Sequence, residues 1–267
     1  MTFKVLYNLS LKMDIPQYGP TGELRGHTDN VDRVAILHNT GTSCLSVSHD
    51  TTVKLWDFSS LQLTKSIKAH KDGVFGLDVS RSGSMFATCS ADKSVAIWDT
   101  KGMKKISEAT KHEDKIYSCK FLRDDMLFTA GKDGKLYLWD IRNFKSPLKN
   151  VASPESGPIR SIDINTDETL AITTTHNGCI DVYNLERQNF LYSHPVAWNR
   201  EHFQADHEFL GDPKIIYSGK FFKTRTNTIL TAHQDLAVRK FGITFESAEE
   251  LGCFVMHYDS VRHIEIA

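Results

Sequence analysis

A hexad with apolar residues at its first, fourth and sixth positions returns along this chain at nearly constant spacing, and that spacing restricts the architecture more than any other feature. It reads Val31-Asp32-Arg33-Val34-Ala35-Ile36, Val74-Phe75-Gly76-Leu77-Asp78-Val79 and Ile116-Tyr117-Ser118-Cys119-Lys120-Phe121, and it starts again at Ile159, Ile216 and Val261. Successive starts are 43, 42, 43, 57 and 45 residues apart, so the interval before Ile216 carries about fifteen extra residues. A closing aromatic at Trp56, Trp98, Trp139, Tyr183 and Phe241 advances in step. Between these landmarks each unit reads as strand, turn, strand, as in Cys44 to Ser48, His49 to Thr51 and Thr52 to Phe58, where β-branched runs are broken by turn formers. Four short strands in about 42 residues is the repeat of a propeller blade, in which radial stacking buries both sheet faces and leaves only short edges.

Composition narrows the function classes. A net charge of -1 over 267 residues, 24% of them charged, gives no overall bias toward nucleic acid or anionic membrane, so any electrostatic preference must be local. No apolar run reaches the length of about eighteen residues that spans a bilayer, and Met1 to Ser10 lacks the pattern of a secretory signal. A soluble, intracellular protein of cytoplasm or nucleus is expected, with no membrane partner. Cys44, Cys89, Cys119, Cys179 and Cys253 form no CxxC pair and are odd in number, which reads as apolar filler rather than a metal site or disulfide framework. No cofactor, metal or small-molecule substrate is expected.

Gly26-His27, Ala69-His70 and Lys111-His112 precede the first strand of three units, and Trp56-Asp57, Trp98-Asp99 and Trp139-Asp140 close the third strand. These pairs resemble the Gly-His and Trp-Asp markers of the WD-repeat β-propeller family, over nearly the whole chain. The resemblance implies hydrogen-bonded tetrads of His27, Ser46, Asp50 and Trp56; His70, Thr88, Asp92 and Trp98; and His112, Thr129, Asp133 and Trp139. The residue types suit a relay, because an indole N–H only donates, a carboxylate only accepts, and hydroxyl and imidazole do both. Three such sets inside three blades are structural rather than catalytic triads. The fourth unit departs, with Thr173, Asn177, Tyr183 and Glu155 at the matching offsets, as does the fifth, with Thr231, Asp235, Phe241 and Asp212. These two should form without a full relay.

The expected fold is all-β: a single β-propeller domain over 1–267, six blades of four-stranded antiparallel sheets, the last possibly incomplete. Blade strands begin at 31, 74, 116, 159 and 216, and the closing blade is drawn from 1–27 and 257–267. In it Lys4 to Leu9 reads as a third strand, Gly22 to Arg25 as a fourth, and Val261 to Ile266 as a first. An insertion occupies 188–214. It holds Trp198, Phe203 and Phe209 with His194, His202 and His207, and reads as a loop packing on blade five or a partner-binding arm.

In the resembled family, residues beside the opening position of each hexad and before the tetrad Asp often bind partners. Carried over, these are Asp32, Phe75, Tyr117, Arg160, Tyr217 and Arg262, with Asn30, Lys115 and Ser260 in the flanking set and His49, Ala91, Lys132, His176 and Gln234 in the turn set. Tyr and Arg are enriched among binding hot spots, and Lys115, Lys132, Arg160 and Arg262 against Asp32 make this face locally basic. The implied function is a non-catalytic scaffold or adaptor in a multiprotein complex, taking an acidic or phosphorylated peptide of a partner protein. RNA or ribonucleoprotein binding through base stacking and phosphate contacts is the competing class. A third reading rests on Trp139-Asp140-Ile141-Arg142, which resembles the box by which substrate receptors of cullin-RING ubiquitin ligases contact their adaptor, with Arg142 as the contact. Gly131-Lys132-Asp133-Gly134-Lys135 lacks the spacer and terminal hydroxyl of a phosphate loop, and no motif assembles a nucleophile, base and oxyanion donor.

Overall fold

Short β-branched runs separated by tight turns can pair only as antiparallel neighbours, and the chain folds accordingly. A computed structural model describes residues 22–37, 40–153, 157–196, 216–221, 227–233 and 237–255, which form five four-stranded antiparallel sheets. The first holds β1 (Val31–Leu37), β2 (Ser43–Ser48), β3 (Thr52–Asp57) and β4 (Gln62–Lys68); the second holds β5 (Val74–Val79), β6 (Met85–Ser90), β7 (Val95–Asp99) and β8 (Lys104–Ala109). The third comprises β9 (Ile116–Arg123), β10 (Met126–Gly131), β11 (Lys135–Asp140) and β12 (Lys149–Ala152). The fourth comprises β13 (Ile159–Ile164), β14 (Leu170–Thr175), β15 (Cys179–Asn184) and β16 (Asn189–Pro195). The fifth has β17 (Ile216–Phe221), β18 (Thr228–His233), β19 (Ala237–Ile243) and β20 (Ala248–Val255). In every sheet the strands lie in chain order.

First strands of consecutive sheets pack side by side, β1 on β5, β5 on β9, β9 on β13 and β13 on β17, the arrangement of propeller blades with their first strands innermost. Apolar cores fill the space between neighbouring blades. Leu45, Val53, Val74 and Phe86 join the first two, and Cys89, Ile97, Ile116 and Leu127 the second and third. Phe128, Leu138, Ile159 and Tyr183 join the third and fourth, and Ile172, Val182, Ile216 and Phe241 the fourth and fifth. Each such side chain contributes about 1.5–3 kcal/mol on full burial. Cys44, Cys89, Cys119 and Cys179 are buried free thiols. Burial pushes the Cys44 thiol up to about 11, while a hydrogen bond with Cys89, then burial, raises Cys119, so both act as small apolar groups.

Two boundaries differ from the sequence expectation. Gly22 to Arg25 is not a strand; a strand exists by its ladder, and its expected partner, Lys4 to Leu9, lies outside the described residues. Asn189–Pro195, assigned by spacing to an insertion, is the fourth strand of its blade and pairs with β15. Hexad spacing measures only the distance between first strands and cannot separate a fourth strand from the loop after it. The rest of the insertion, with Trp198, His202, Phe203, His207 and Phe209, lies outside the described residues, as do 1–21 and 256–267 with Ser260 and Arg262, and Glu155, Asp212, Gln234 and Asp235.

Candidate protein-binding face

In all five sheets the ladder between first and second strands slips at the same place. Val31 faces Ser48 and Arg33 faces Val47, so Asp32 has no ladder partner, and the equivalent slip passes over Phe75, Tyr117, Arg160 and Tyr217. A bulge of this kind re-aims one side chain out of the pleat. All five residues are half-buried, and they touch in blade order. Asp32 Oδ2 lies 2.8 Å from His49 Nε2; the His49 ring meets Phe75 edge-on at 5.0 Å, and Phe75 lies 5.6 Å from Tyr117. The Arg160 guanidinium then sits 4.4 Å from the Tyr117 ring centroid and 5.6 Å from that of Tyr217.

The turn positions join this band through backbone geometry. The N–H groups of His49, Ala91, Lys132 and His176 donate to the carbonyls of Asn30, Gly73, Lys115 and Pro158, each the residue before a hexad. Lys115 and Lys132 are exposed, but Lys132 Nζ lies 3.3 Å from Asp114, so the face is less basic than a count of its cations implies. Arg160 is different: among the described residues it has no ion pair with a carboxylate, and its buried Nε has no hydrogen-bond partner. Aromatic faces hold such a cation with about 0.5–2 kcal/mol each, while leaving its charge available to an external anion.

Beneath this band, hydrogen-bond relays fix the first three blades. His27 Nδ1 lies 2.7 Å from Asp50 and its Nε2 2.7 Å from Ser46 Oγ, which also accepts from Trp56 Nε1 at 2.7 Å. In the third, His112 bridges Asp133 at 2.7 Å and Thr129 at 2.8 Å, and Trp139 donates to Thr129 at 2.8 Å. The second adds a member. His70 Nε2 meets Thr88 at 2.7 Å and Trp98 donates to Thr88 at 2.8 Å, but His70 Nδ1 is nearer Ser94 Oγ, 2.8 Å, than Asp92, 3.4 Å. Ser94 in turn donates to Asp92 at 2.5 Å, as Thr52 does to Asp50 at 2.6 Å. These hydroxyls two residues after the Asp are legible as Asx-turn residues, a signal the tetrad offsets pass over.

Burial would raise the Asp50 and Asp92 carboxyls, but hydrogen bonds outweigh it and hold both well below the usual carboxylate range. The donors are Thr52, His27 and backbone N–H groups at Asp50, and His70, Ser94 and the Lys71 N–H at Asp92. Asp133 is lowered in the same way, against burial, chiefly by His112. Burial lowers His27 despite Asp50, which favours the neutral ring in a set built for architecture.

A profile of the family described as WD domain, G-beta repeat, matches residues 18–57, 61–99 and 103–140, the three units with complete relays. Residues 18–140 therefore carry three WD repeats. Similar proteins include Nuclear distribution protein nudF of Emericella nidulans, 34% identical over 176 residues, which are 64% of this chain and 39% of that protein. Lissencephaly-1 homolog of Caenorhabditis briggsae is 39% identical over 69 residues, 26% of this chain and 17% of its own length. Apoptotic protease-activating factor 1 of Danio rerio is 38% identical over 72 residues, 26% of this chain and 6% of that protein. The matches therefore span less than half the length of each of these relatives.

In the fourth blade Asn177 is exposed in a turn, and a different residue organises the interior. Asp181 is fully buried and accepts from Ser153 at 2.6 Å, Ser193 at 2.6 Å and Thr173 at 3.4 Å. It faces Thr173 across the ladder, as Lys54 faces Ser46 and Ala96 faces Thr88, so one structural position carries unrelated chemistry from blade to blade. In the fifth blade Thr231 donates to the Arg239 carbonyl at 3.4 Å, and fully buried Phe241 lies 5.9 Å from the His194 ring. A further missed set is the fifth hexad position. Lys120 Nζ lies 3.2 Å from Asp78 and 3.7 Å from Asp163, and Lys220 Nζ 3.7 Å from Asp163, a run of alternating charge across four blades that aligning the repeats would have exposed.

Arg142 lies beside the β9–β10 turn, at the other end of its sheet from Tyr117. It is in a single-turn 3-10 helix, Ile141–Asn143, capped by Asp140. Its side chain is 72% exposed, but the guanidinium donates to both Asp140 oxygens, at 2.9 and 2.8 Å, and lies 3.4 Å from Asp125. Among the described residues, no three His, Cys, Asp or Glu side chains cluster as a metal site, and no helix is long and apolar enough to cross a membrane.

Proposed function

We propose that this protein is a scaffold or adaptor that holds partner proteins on the face formed by the bulged residues, and that its ligand there is an acidic or phosphorylated peptide segment. The observation that carries the reading is the continuous band Asp32, His49, Phe75, Tyr117, Arg160 and Tyr217, with an arginine that is stacked between two tyrosines and has no acid paired to it among the described residues. Half-buried aromatics on a rigid frame offer contact area at little entropic cost, and a desolvated guanidinium favours bidentate carboxylate or phosphate. The similarity to relatives whose names concern nuclear distribution and protease activation supports assembly work in general rather than any one complex.

The test is a peptide array of acidic and phosphorylated sequences, with neutral counterparts, against the protein and two variants: Arg160→Glu with Lys115→Glu, and Phe75→Ala with Tyr117→Ala and Tyr217→Ala. Both variants should keep the parent melting transition within a few degrees and lose at least tenfold in affinity for acidic peptides. Equal binding by parent and charge-reversed protein sinks the proposal. Selective capture of single-stranded RNA, collapsing steeply with added salt, would replace peptide with nucleic acid.

A further inference from the structure

The turn from third to fourth strand is alike in four blades and different in one. Residues 58–61, 100–103, 185–188 and 244–247 make it in the first, second, fourth and fifth blades, and three of these tight turns close on a residue at positive φ, Leu61, Met103 or Gln188. In the third blade the turn is twice as long, 141–148. Phe144 is buried there with its ring 5.0 Å from that of Trp139, and the Leu148 N–H donates to the Leu138 carbonyl at 2.7 Å. Between these two anchors Lys145 and Ser146 are exposed, and Leu148 itself is 60% exposed. An added loop on a rigid repeat is where function is placed rather than stability.

Ser146-Pro147-Leu148-Lys149 sets proline directly after a hydroxyl and a cation three places on. Proline holds the residue before it extended, the backbone shape that a protein-kinase cleft takes. It also has no N–H, so a cleft without an acceptor at that point takes proline and rejects residues whose N–H would be left unpaired. Lys149 answers an acidic pocket. Its Nζ donates to the Gln188 carbonyl, but it opens β12, the shortest of the described strands, whose end frays at little cost. The chain carries one other Ser-Pro, Ser153-Pro154, followed by Glu155 and Ser156. Ser153 is buried, and its Oγ donates to Asp181 at 2.6 Å. The fold thus offers one serine and withholds the other.

We propose that Ser146 is a phosphorylation site for a proline-directed serine/threonine kinase that favours a base three residues on. Ser146 Oγ attacks the γ-phosphorus of ATP, the bond from that phosphorus to its bridging oxygen breaks, ADP leaves, and the hydroxyl proton passes to the carboxylate base of the kinase. The phosphate brings about −1.5 to −2 charges, which offsets Lys145 and Lys149 on the same loop. The loop lies at the Asp140 end of its sheet, away from Tyr117, so the modification is independent of the peptide reading above.

The full chain, incubated with ATP and a cyclin-dependent kinase as probe and followed by peptide mass spectrometry, tests the site. Phosphate is expected on Ser146, at a rate within about tenfold of that for a free peptide of residues 141–152, with Ser153 unmodified in the folded protein. Ser146→Ala removes the product, Pro147→Ala lowers the initial rate at least about tenfold, Lys149→Ala lowers it further from the parent in the same direction, and all three keep the parent melting midpoint. Phosphate taken up by the free peptide but not by the folded chain, phosphate on Ser153 or elsewhere in place of Ser146, or uptake at Ser146 that neither Pro147→Ala nor Lys149→Ala diminishes, overturns the proposal.

Discussion

Individual residues of the relays act through protonation as much as through packing. The Asp50, Asp92 and Asp133 carboxyls are lowered in the fold, so they stabilise it above the unfolded carboxylate value of about 3.9, and that stabilisation is lost as pH falls through their folded values. His27 is also lowered. Below about 6.5 the unfolded chain takes up a proton that the folded ring declines, so its contribution likewise erodes on acidification. Melting midpoints from circular dichroism should fall gently between about pH 6.5 and 4.5, then steeply below about 4, and Asp92→Asn should flatten the steep limb. Midpoints that rise on acidification would contradict these assignments.

At the scale of one sheet, the same ladder position is filled by Lys54, Ala96, Asp181 or Arg239, opposite Ser46, Thr88, Thr173 and Thr231. Blade geometry survives the exchange because the backbone ladder and inter-blade packing set it, while the polar interior needs only to be satisfied. Asp181→Ala strips the acceptor from Ser153, Thr173 and Ser193 and should cost about 2–4 kcal/mol in chemical denaturation. Asn177→Ala, at the exposed turn position suggested by the tetrad offsets, should change stability by less than about 0.5 kcal/mol. The reverse ranking would show that the fourth blade keeps the ordinary relay after all. The bulge before Arg33, Gly76, Ser118, Ser161 and Ser218 belongs to this scale too: it converts an alternating strand into one that offers a residue to the face.

For the whole molecule, the informative surface is the side of the first blade. Val34 and Ile36 are each 51% exposed, whereas Leu77, Cys119 and Ile162, the residues equivalent to Val34, are 8, 4 and 2% exposed, because each of those packs against a preceding blade. A preceding blade packed on β1 as β1 packs on β5 would cover Val34 and Ile36. The pair Val34→Ser and Ile36→Ser should then destabilise the protein by about 2–4 kcal/mol in denaturant titration, while an uncovered face would leave the midpoint nearly unchanged.

The sequence by itself determined the repeat, the strand order within each blade and the composition of the three full relays, because each depends on residue types at fixed offsets within about 42 positions. Trp98 and Thr88 are brought together by a hairpin register that any antiparallel pair of this length adopts. Only the tertiary structure decided that Asp181 rather than Asn177 serves the fourth blade and that Ser94 enters the second relay. It likewise decided that charges at the fifth hexad position meet between blades and that Arg160 lies between two tyrosines with no acid paired to it among the described residues. These depend on what a neighbouring blade presents across the interface, and no offset along one repeat encodes the distance to the next.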